Sequence, residues 1–318
     1  MKYNVAYVIG AGSIGVRHAE NLRNLDISVQ LIPFRELDLN ALRSRLDEAS
    51  LLVCATPTYY RSDLIDLASA SNSMMYCEKP ACINAEQADF LYSRPAEWLS
   101  GSVVGLMMRY HPGIRWLASL DLSEVMSARF RVGQEITQWR NGWVFEDSYA
   151  SHSDAGGVLF DLCHELDLAE LLFPGLVVHS VSSLGGSRYR EVDFYTAVQL
   201  SSASKGTIVS VEMDYLAKSL TRDIELRFPD KSIILDLISG KVLIKSFENG
   251  LAHLEFPSAR SDWFSSLMLD FVNYSGAENP MRPSFINARS SIELTVEARE
   301  KRTIVGFVDD QFVMNRKG

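Results

Sequence analysis

The chain has 318 residues, of which 47% are hydrophobic and 22% charged, and its formal net charge is −9 at neutral pH. That length holds two domains of ordinary size with ample core in each. The acidic balance, without a basic cluster, argues against nucleic acid and anionic membranes as partners, and no apolar run approaches the roughly 20 residues that span a bilayer. The first strand begins almost at once, so no signal peptide is expected. The four cysteines, Cys54, Cys77, Cys82 and Cys163, show neither a C-x-x-C nor metal-ligand spacing. A reduced, cytoplasmic protein without a metal is expected.

Val5-Ala6-Tyr7-Val8-Ile9 is a β-branched, apolar run that reads as a buried strand. It feeds Gly10-Ala11-Gly12-Ser13-Ile14-Gly15, after which Ile14, His18, Leu22 and Leu25 recur at helical spacing. Strand, G-x-G-x-x-G, helix is the context in which the pattern means a dinucleotide-binding turn. Gly10 permits the tight turn, Gly12 lets the backbone approach a pyrophosphate, and Gly15 lets the helix pack on the strand. The phosphates then sit at the helix N-terminus, so Gly10, Gly12, Ser13, Ile14 and Gly15 are cofactor-binding candidates. The alternative is a glycine-rich turn with no ligand, but nothing structural requires all three glycines together.

Further strands are expected over residues 27–34, 50–55, 74–77 and 103–108, with helical patterns between them. Pro33 sits awkwardly in a central strand, so the second strand should end near it. Strands alternating with helices mean a doubly wound parallel sheet. From about residue 124 the texture changes to seven strand-like runs, over 125–132, 177–184, 193–200, 207–215, 222–228, 232–237 and 241–247, several separated only by short polar turns. A helix over 157–173, an apolar stripe over 263–274 and a last helix over 288–302 complete the second half. The expected fold class is α/β: an N-terminal Rossmann domain, residues 1–104, and a C-terminal α+β domain, residues 105–318, with a large, mostly antiparallel open sheet.

Three stretches carry more than packing. Glu78-Lys79-Pro80 follows the fourth strand, at the carboxyl edge where open α/β sheets bind ligands; its bland alternative is a solvated charge pair. In Gly156 to Asp167, a continuous helix puts Asp161, His164 and Asp167 on one face. An acid beside a histidine can fix the tautomer that acid–base work requires, although a capped helix with an exposed charged face fits the same pattern. Zinc is the weaker reading, because only one histidine is present. The stretch Gly105 to Pro112 ends in a cation and an aromatic, Arg109 and Tyr110, where two domains should meet.

Taken together, the glycine turn, Ala55-Thr56-Pro57, Cys77-Glu78-Lys79-Pro80, Val104-Gly105 with Arg109-Tyr110-His111-Pro112, and the Gly156–Asp167 stretch resemble the Gfo/Idh/MocA (glucose–fructose oxidoreductase / inositol dehydrogenase) superfamily. The resemblance spans nearly the whole chain. It implies reversible hydride transfer between a nicotinamide and a carbohydrate hydroxyl, and an open sheet that often mediates oligomers, so a homo-oligomer (dimer or tetramer) is expected. Lys79 matches the active-site lysine and His164 the histidine that takes and returns the proton. Thr56, Pro57, Glu78, Lys79 and Pro80 are expected along the edge of the nicotinamide, and Asp161 is the third catalytic candidate. Two departures stand out. Asp161 and His164 are three apart rather than the usual four, a form that looks like members tied to surface-polysaccharide and nonulosonate sugar pathways. The second strand ends in Phe34-Arg35-Glu36 rather than in an acid alone: Arg35 suits a 2′-phosphate and favours NADP, while Glu36 keeps NAD open.

The segment over 139–152, aromatic and polar, is expected to form a loop over a sugar-type substrate, with Trp139, Tyr149 and Arg109 as binding candidates; an aromatic loop packed on the sheet is the alternative. Two rival functions share the fold: a catalytically silent nicotinamide-sensing regulator, and a reductase of a non-sugar substrate such as a tetrapyrrole or cyclic imine.

Overall fold

The computed structural model of the chain describes residues 3–138, 144–202, 206–277 and 279–311. Contacts group the chain into two compact units, residues 1–110 with 259–292 and residues 111–258 with 293–318. A single cut at residue 104 does not describe this grouping, because the segment after residue 258 returns to the first unit.

The first unit runs β1 (Val5–Ile9), α1 (Ser13–Arg23), β2 (Ser28–Ile32), α2 (Leu39–Arg43), β3 (Ser50–Cys54), α3 (Arg61–Ala70), β4 (Met74–Cys77), α4 (Ala85–Tyr92), α5 (Ala96–Gly101) and β5 (Val103–Val104). Its five strands lie in the order β2-β1-β3-β4-β5, and every pair is parallel. All five residues of β3 are buried, as a strand covered on both faces requires. The strand β2 stops at Ile32, just before Pro33. The strand expected over 103–108 ends early: β5 stops at Val104 and a 3-10 turn occupies Met107–Tyr110. The chain leaves the sheet at Gly105, where a Cβ would meet the Glu78 carboxyl at 3.0–3.1 Å.

The second unit contains α6 (Pro112–Ala118), β6 (Ser127–Gly133), α7 (Val158–Asp161), α8 (His164–Leu172), β7 (Leu176–Gly186), β8 (Asp193–Ser202), β9 (Ile208–Asp214), β10 (Thr221–Arg227), β11 (Lys231–Asp236), β12 (Lys241–Ser246) and β13 (Gly250–Glu255). After them come α9 (Arg260–Val272) and α10 (Arg289–Glu300), and β14 (Arg302–Val308) closes the described chain. The nine-stranded sheet has the order β13-β12-β11-β10-β6-β9-β8-β7-β14. It is antiparallel except where β6 meets β9 and β7 meets β14. Period-two alternation builds its faces: Ala128, Phe130 and Val132 of β6 are buried, while Arg129 and Arg131 between them are partly exposed. The buried face packs on α7 and α8. The other carries a charge lattice in which Arg131 meets Asp223 at 2.7 Å and Arg129 meets Glu225 at 3.2 Å. The strands β13 and β14 are additions to the sequence reading. Every residue of β13 is exposed, so it has no apolar alternation to see.

Helix α9 belongs to the first unit, held there by side chains rather than by sequence proximity. The Phe264 ring lies 5.9 Å from His18 of α1, under the Arg17 guanidinium at 4.9 Å. Asp270 accepts a hydrogen bond from Tyr110. Past the helix, Arg282 donates to the carbonyls of Ser100 (2.5 Å) and Gly101 (2.6 Å), and the Trp98 and Phe285 rings stack with centroids 5.5 Å apart.

Candidate functional site

The glycine turn lies between β1 and α1, and β1 is flanked by β2 on one side and β3 on the other. Strand order reverses at this point, which is where such sheets open a crevice beyond their carboxyl ends. Gly10 has φ +106°, and a Cβ there would sit 2.6 Å from the Ala55 carbonyl oxygen. A Cβ on Gly15 would fall 1.8 Å from the Gly10 carbonyl oxygen, so these two glycines are dictated by the turn itself. Gly12 differs. It is the N-cap of α1 with ordinary extended backbone, and a Cβ there would meet nothing within 4 Å. The space is open above the first-turn amides, including those of Ser13 and Ile14, which have no intrahelical acceptor. Open space in front of free N–H groups fits a pyrophosphate, and the helix dipole favours its charge.

Two loops leave the adjacent strands β3 and β4, and Arg61 fastens both. It is the first residue of α3 and only 4% exposed. Its Nε and Nη2 donate to the Thr56 carbonyl at 3.1 and 2.7 Å, and its Nη1 donates to the carbonyls of Glu78 and Pro80. Pro57 therefore follows a pinned carbonyl, and Lys79 sits between two of them. The Lys79–Pro80 bond is cis, and the Lys79 residue is partly exposed. The Glu78 carboxylate turns inward. It contacts His18 Nε2 at 2.7 Å and accepts the Lys79 N–H at 3.3 Å. Neither Arg61 nor His18 was legible as a site residue in the sequence: His18 appears only in a helical stripe, and nothing marks Arg61 but its place after Thr56-Pro57.

Arg35 and Glu36 lie in a 3-10 turn, Phe34–Glu36, directly after β2 and Pro33, and both are exposed. The neighbouring Phe34 ring packs on Tyr60 with centroids 4.4 Å apart. Arg109 is elsewhere in character. At 1% exposure it is buried, and its guanidinium reaches the Asn287 carbonyl (3.4 and 3.5 Å) and Ser291 Oγ (3.4 Å). Its hydrogen bonds tie the returning segment into the first unit, a packing role that the strand-end reading did not anticipate.

In the second unit the expected single helix over 157–173 is two helices. Leu162, at φ −107° and ψ 24°, breaks the geometry, so Asp161 ends α7 and His164 begins α8. Asp161 and His164 thus do not share one helix face. The Asp161 carboxylate accepts a 2.5 Å hydrogen bond from buried Tyr215 of the loop after β9. Burial and that carboxylate push the Tyr215 phenol well above its ordinary pKa. His164 is 4% exposed. The acidic residues of α8 are buried rather than solvated: Glu165 takes a bidentate pair from Arg222 at 2.6 and 3.0 Å, and Glu170 caps the Gly175 and Leu176 amides. Asp193 of β8, another residue the sequence did not single out, anchors the start of α7. It accepts from the Leu159 amide at 3.0 Å and from Arg302 at 2.7 Å. Tyr149 sits in a short 3-10 turn and is 42% exposed, whereas Trp139 lies outside the described residues. Among those residues no cluster of three or more His, Cys, Asp or Glu could hold a metal, and no helix is long and apolar enough to cross a membrane.

The five-stranded parallel sheet with its glycine turn and the nine-stranded open sheet make a fold that this chain shares with solved structures of a dehydrogenase and a ketoreductase. The chain superposes on UDP-N-acetylglucosamine 3-dehydrogenase GnnA from Acidithiobacillus ferrooxidans with a TM-score of 0.75 at 18% identity, covering 95% of this chain and 98% of that one. It superposes equally on KijD10, a 3-ketoreductase from Actinomadura kijaniata solved with NADP and TDP-benzene, with a TM-score of 0.76 at 16% identity over 96% and 100% of the two chains. By sequence it is similar to 2,7-anhydro-N-acetylneuraminate hydratase of Mediterraneibacter gnavus, 27% identical over 182 residues. That match covers 56% of this chain and under half, 46%, of the relative. No protein-family model matches the chain.

Proposed function

We propose that the chain is an NAD(P)-dependent oxidoreductase of the Gfo/Idh/MocA type, acting on a hydroxyl or keto group of a sugar derivative, nucleotide-linked sugars included. One observation carries the reading: open space at Gly12, in front of the α1 N-terminus, beside two loops that Arg61 fixes at the ends of β3 and β4. The bound nicotinamide supplies the hydride acceptor or donor. The chain does the rest. The amides of Ser13 and Ile14 bind the pyrophosphate, and Thr56, Pro57, Glu78 and Pro80 shape the edge of the ring's subsite. Lys79 Nζ donates to the substrate oxygen as it gains carbonyl character, and an imidazole nitrogen of His164 takes its proton, with Asp161 supporting the histidine and Tyr149 and Trp139 contacting the sugar. The open face of the nine-stranded sheet, with its half-exposed charge lattice, serves as the contact between copies of the chain in a homo-oligomer.

The first experiment is a fluorescence titration with NADPH and NADH. Binding of NADPH that Arg35→Ala weakens by about tenfold, with NADH little changed, supports the 2′-phosphate role of Arg35. With a substrate panel, Lys79→Ala and His164→Ala should each lower turnover by roughly 10²–10⁴-fold and leave cofactor affinity near wild type. Binding without turnover on any substrate favours a sensor instead. The likeness to a sialate hydratase supports a second reading, net hydration of an anhydro-sugar, which product analysis separates because the cofactor would end in its starting redox state.

A further inference from the structure

The ladder between β3 and β4 ends where their strands do: Cys54 pairs with Cys77 in register, and the Glu78 amide makes one more bond, to the Cys54 carbonyl at 2.9 Å. Beyond it the two backbones separate, and Arg61 takes over. Its planar fork spreads donors over three carbonyls, those of Thr56, Glu78 and Pro80. Buried arginines ordinarily answer a carboxylate, whereas each of these bonds goes to the main chain. Two of the carbonyls flank Lys79, and its amide is held separately by the Glu78 carboxylate. The backbone about Lys79 is thus held on both sides.

We propose that Arg61 is a positioning residue for Lys79: one guanidinium locks the loops after β3 and β4 into a single body and sets the direction in which the lysine leaves the backbone. The proposal rests on the reading of Lys79 as the group that meets the substrate oxygen. An ammonium could keep the charge but not the spread of donors, so lysine is not an equivalent residue here.

The test is amide hydrogen exchange on the whole chain without cofactor, comparing wild type, Arg61→Ala and Arg61→Lys, together with kcat and KM. In Arg61→Ala, exchange should rise together at residues 55–58 and 78–82 and stay at wild-type rates in β1 and β2, and low-millimolar guanidinium should restore both loops. Turnover should fall on the order of 10²-fold with KM for the sugar nearly unchanged, and the same substitution in a Lys79→Ala background should cost little more. If Arg61→Ala does not fold, Arg61→Lys serves, with a smaller rise in both loops and no response to guanidinium. Either loop keeping wild-type exchange, or a rise spread over the whole unit, overturns the proposal. Absent NAD(P)H binding by wild type would remove the oxidoreductase reading, and the exchange comparison would still decide the clamp.

Discussion

His18 Nε2 lies 2.7 Å from Glu78 Oε1, and both residues are buried beneath the loop that carries Lys79. Burial alone would raise the Glu78 pKa, but the His18 hydrogen bond, the His18 charge and the nearby Lys79 and Arg61 outweigh it and hold the carboxyl below its ordinary value. An ionised carboxylate only accepts, so the histidine donates from Nε2. A group whose folded pKa is depressed contributes stability above its unfolded pKa, and that contribution is lost as pH falls through the folded value. Wild type should therefore lose stability to urea between about pH 5 and pH 3 more steeply than Glu78→Gln, whose side chain does not titrate. Parallel urea midpoints of the two proteins across that range would contradict the assignment.

The glycines of the turn separate folding from binding. Gly15→Ala puts a methyl 1.8 Å from the Gly10 carbonyl oxygen, so it should destabilise the first unit by several kcal/mol, through overpacking against a backbone atom that cannot swing away. Gly12→Ala meets nothing within 4 Å and needs no unusual backbone angle. Its melting temperature should stay within a degree or two of wild type, while its methyl occupies the space a pyrophosphate needs, weakening NAD(P)H by tenfold or more. Thermal melts and fluorescence titrations of both variants read this out. Undiminished NAD(P)H affinity in Gly12→Ala would mean that the phosphates lie elsewhere.

What the sequence made legible follows from periodicity. The first four strands and most of the meander were readable because buried runs such as Ser50–Cys54 and alternating ones such as Ser127–Gly133 announce themselves. The strand β13 was not, since its exposed residues have no pattern, and β14 was hidden because it begins two residues after the helix α10 ends. The glycine turn was legible as a motif with local geometry. Arg61, His18 and Asp193 were not, because each has a decisive partner 17 to 109 positions away, a distance no local pattern encodes. The same limit hides the hydrogen bond between Asp161 and Tyr215, 54 residues apart.

His111 provides a pH prediction in the second unit. It caps α6, with Nδ1 accepting the Gly113 amide at 2.9 Å, a role only the neutral ring can fill. Burial, helped by the Arg222 charge, pushes its pKa down to about 4 against the opposing pull of the Leu237 carbonyl and Asp236. The unfolded chain binds the proton at about 6.5. Stability linked to this group is therefore complete above pH 6.5 and drains away towards pH 4, by something on the order of 3 kcal/mol. His111→Asn keeps an N-capping acceptor and should flatten the urea midpoint across that window; a slope identical to wild type would assign the pH dependence to other groups.

Asp193 anchors the start of α7. One carboxylate oxygen caps α7 through the Leu159 amide and takes the Thr196 hydroxyl at 2.7 Å, while the other meets Arg302 at 2.7 Å. Gly157, at φ +90°, makes room for it, since a Cβ there would lie 2.2 Å from Asp193 Oδ1. Removing the carboxylate leaves the Arg302 guanidinium, whose side chain is 7% exposed, with the Glu191 carbonyl but without the Asp193 counter-charge. Asp193→Ala should thus cost about 3–5 kcal/mol, measured by urea denaturation. Asp193→Asn keeps an acceptor for the cap and loses only the charge, so it should cost less. Because α7 ends in Asp161 and α8 starts with His164, loosening α7 should also lower kcat in the Asn variant at temperatures where it is fully folded. An Asn variant with wild-type kcat would mean that His164 is held without help from this carboxylate.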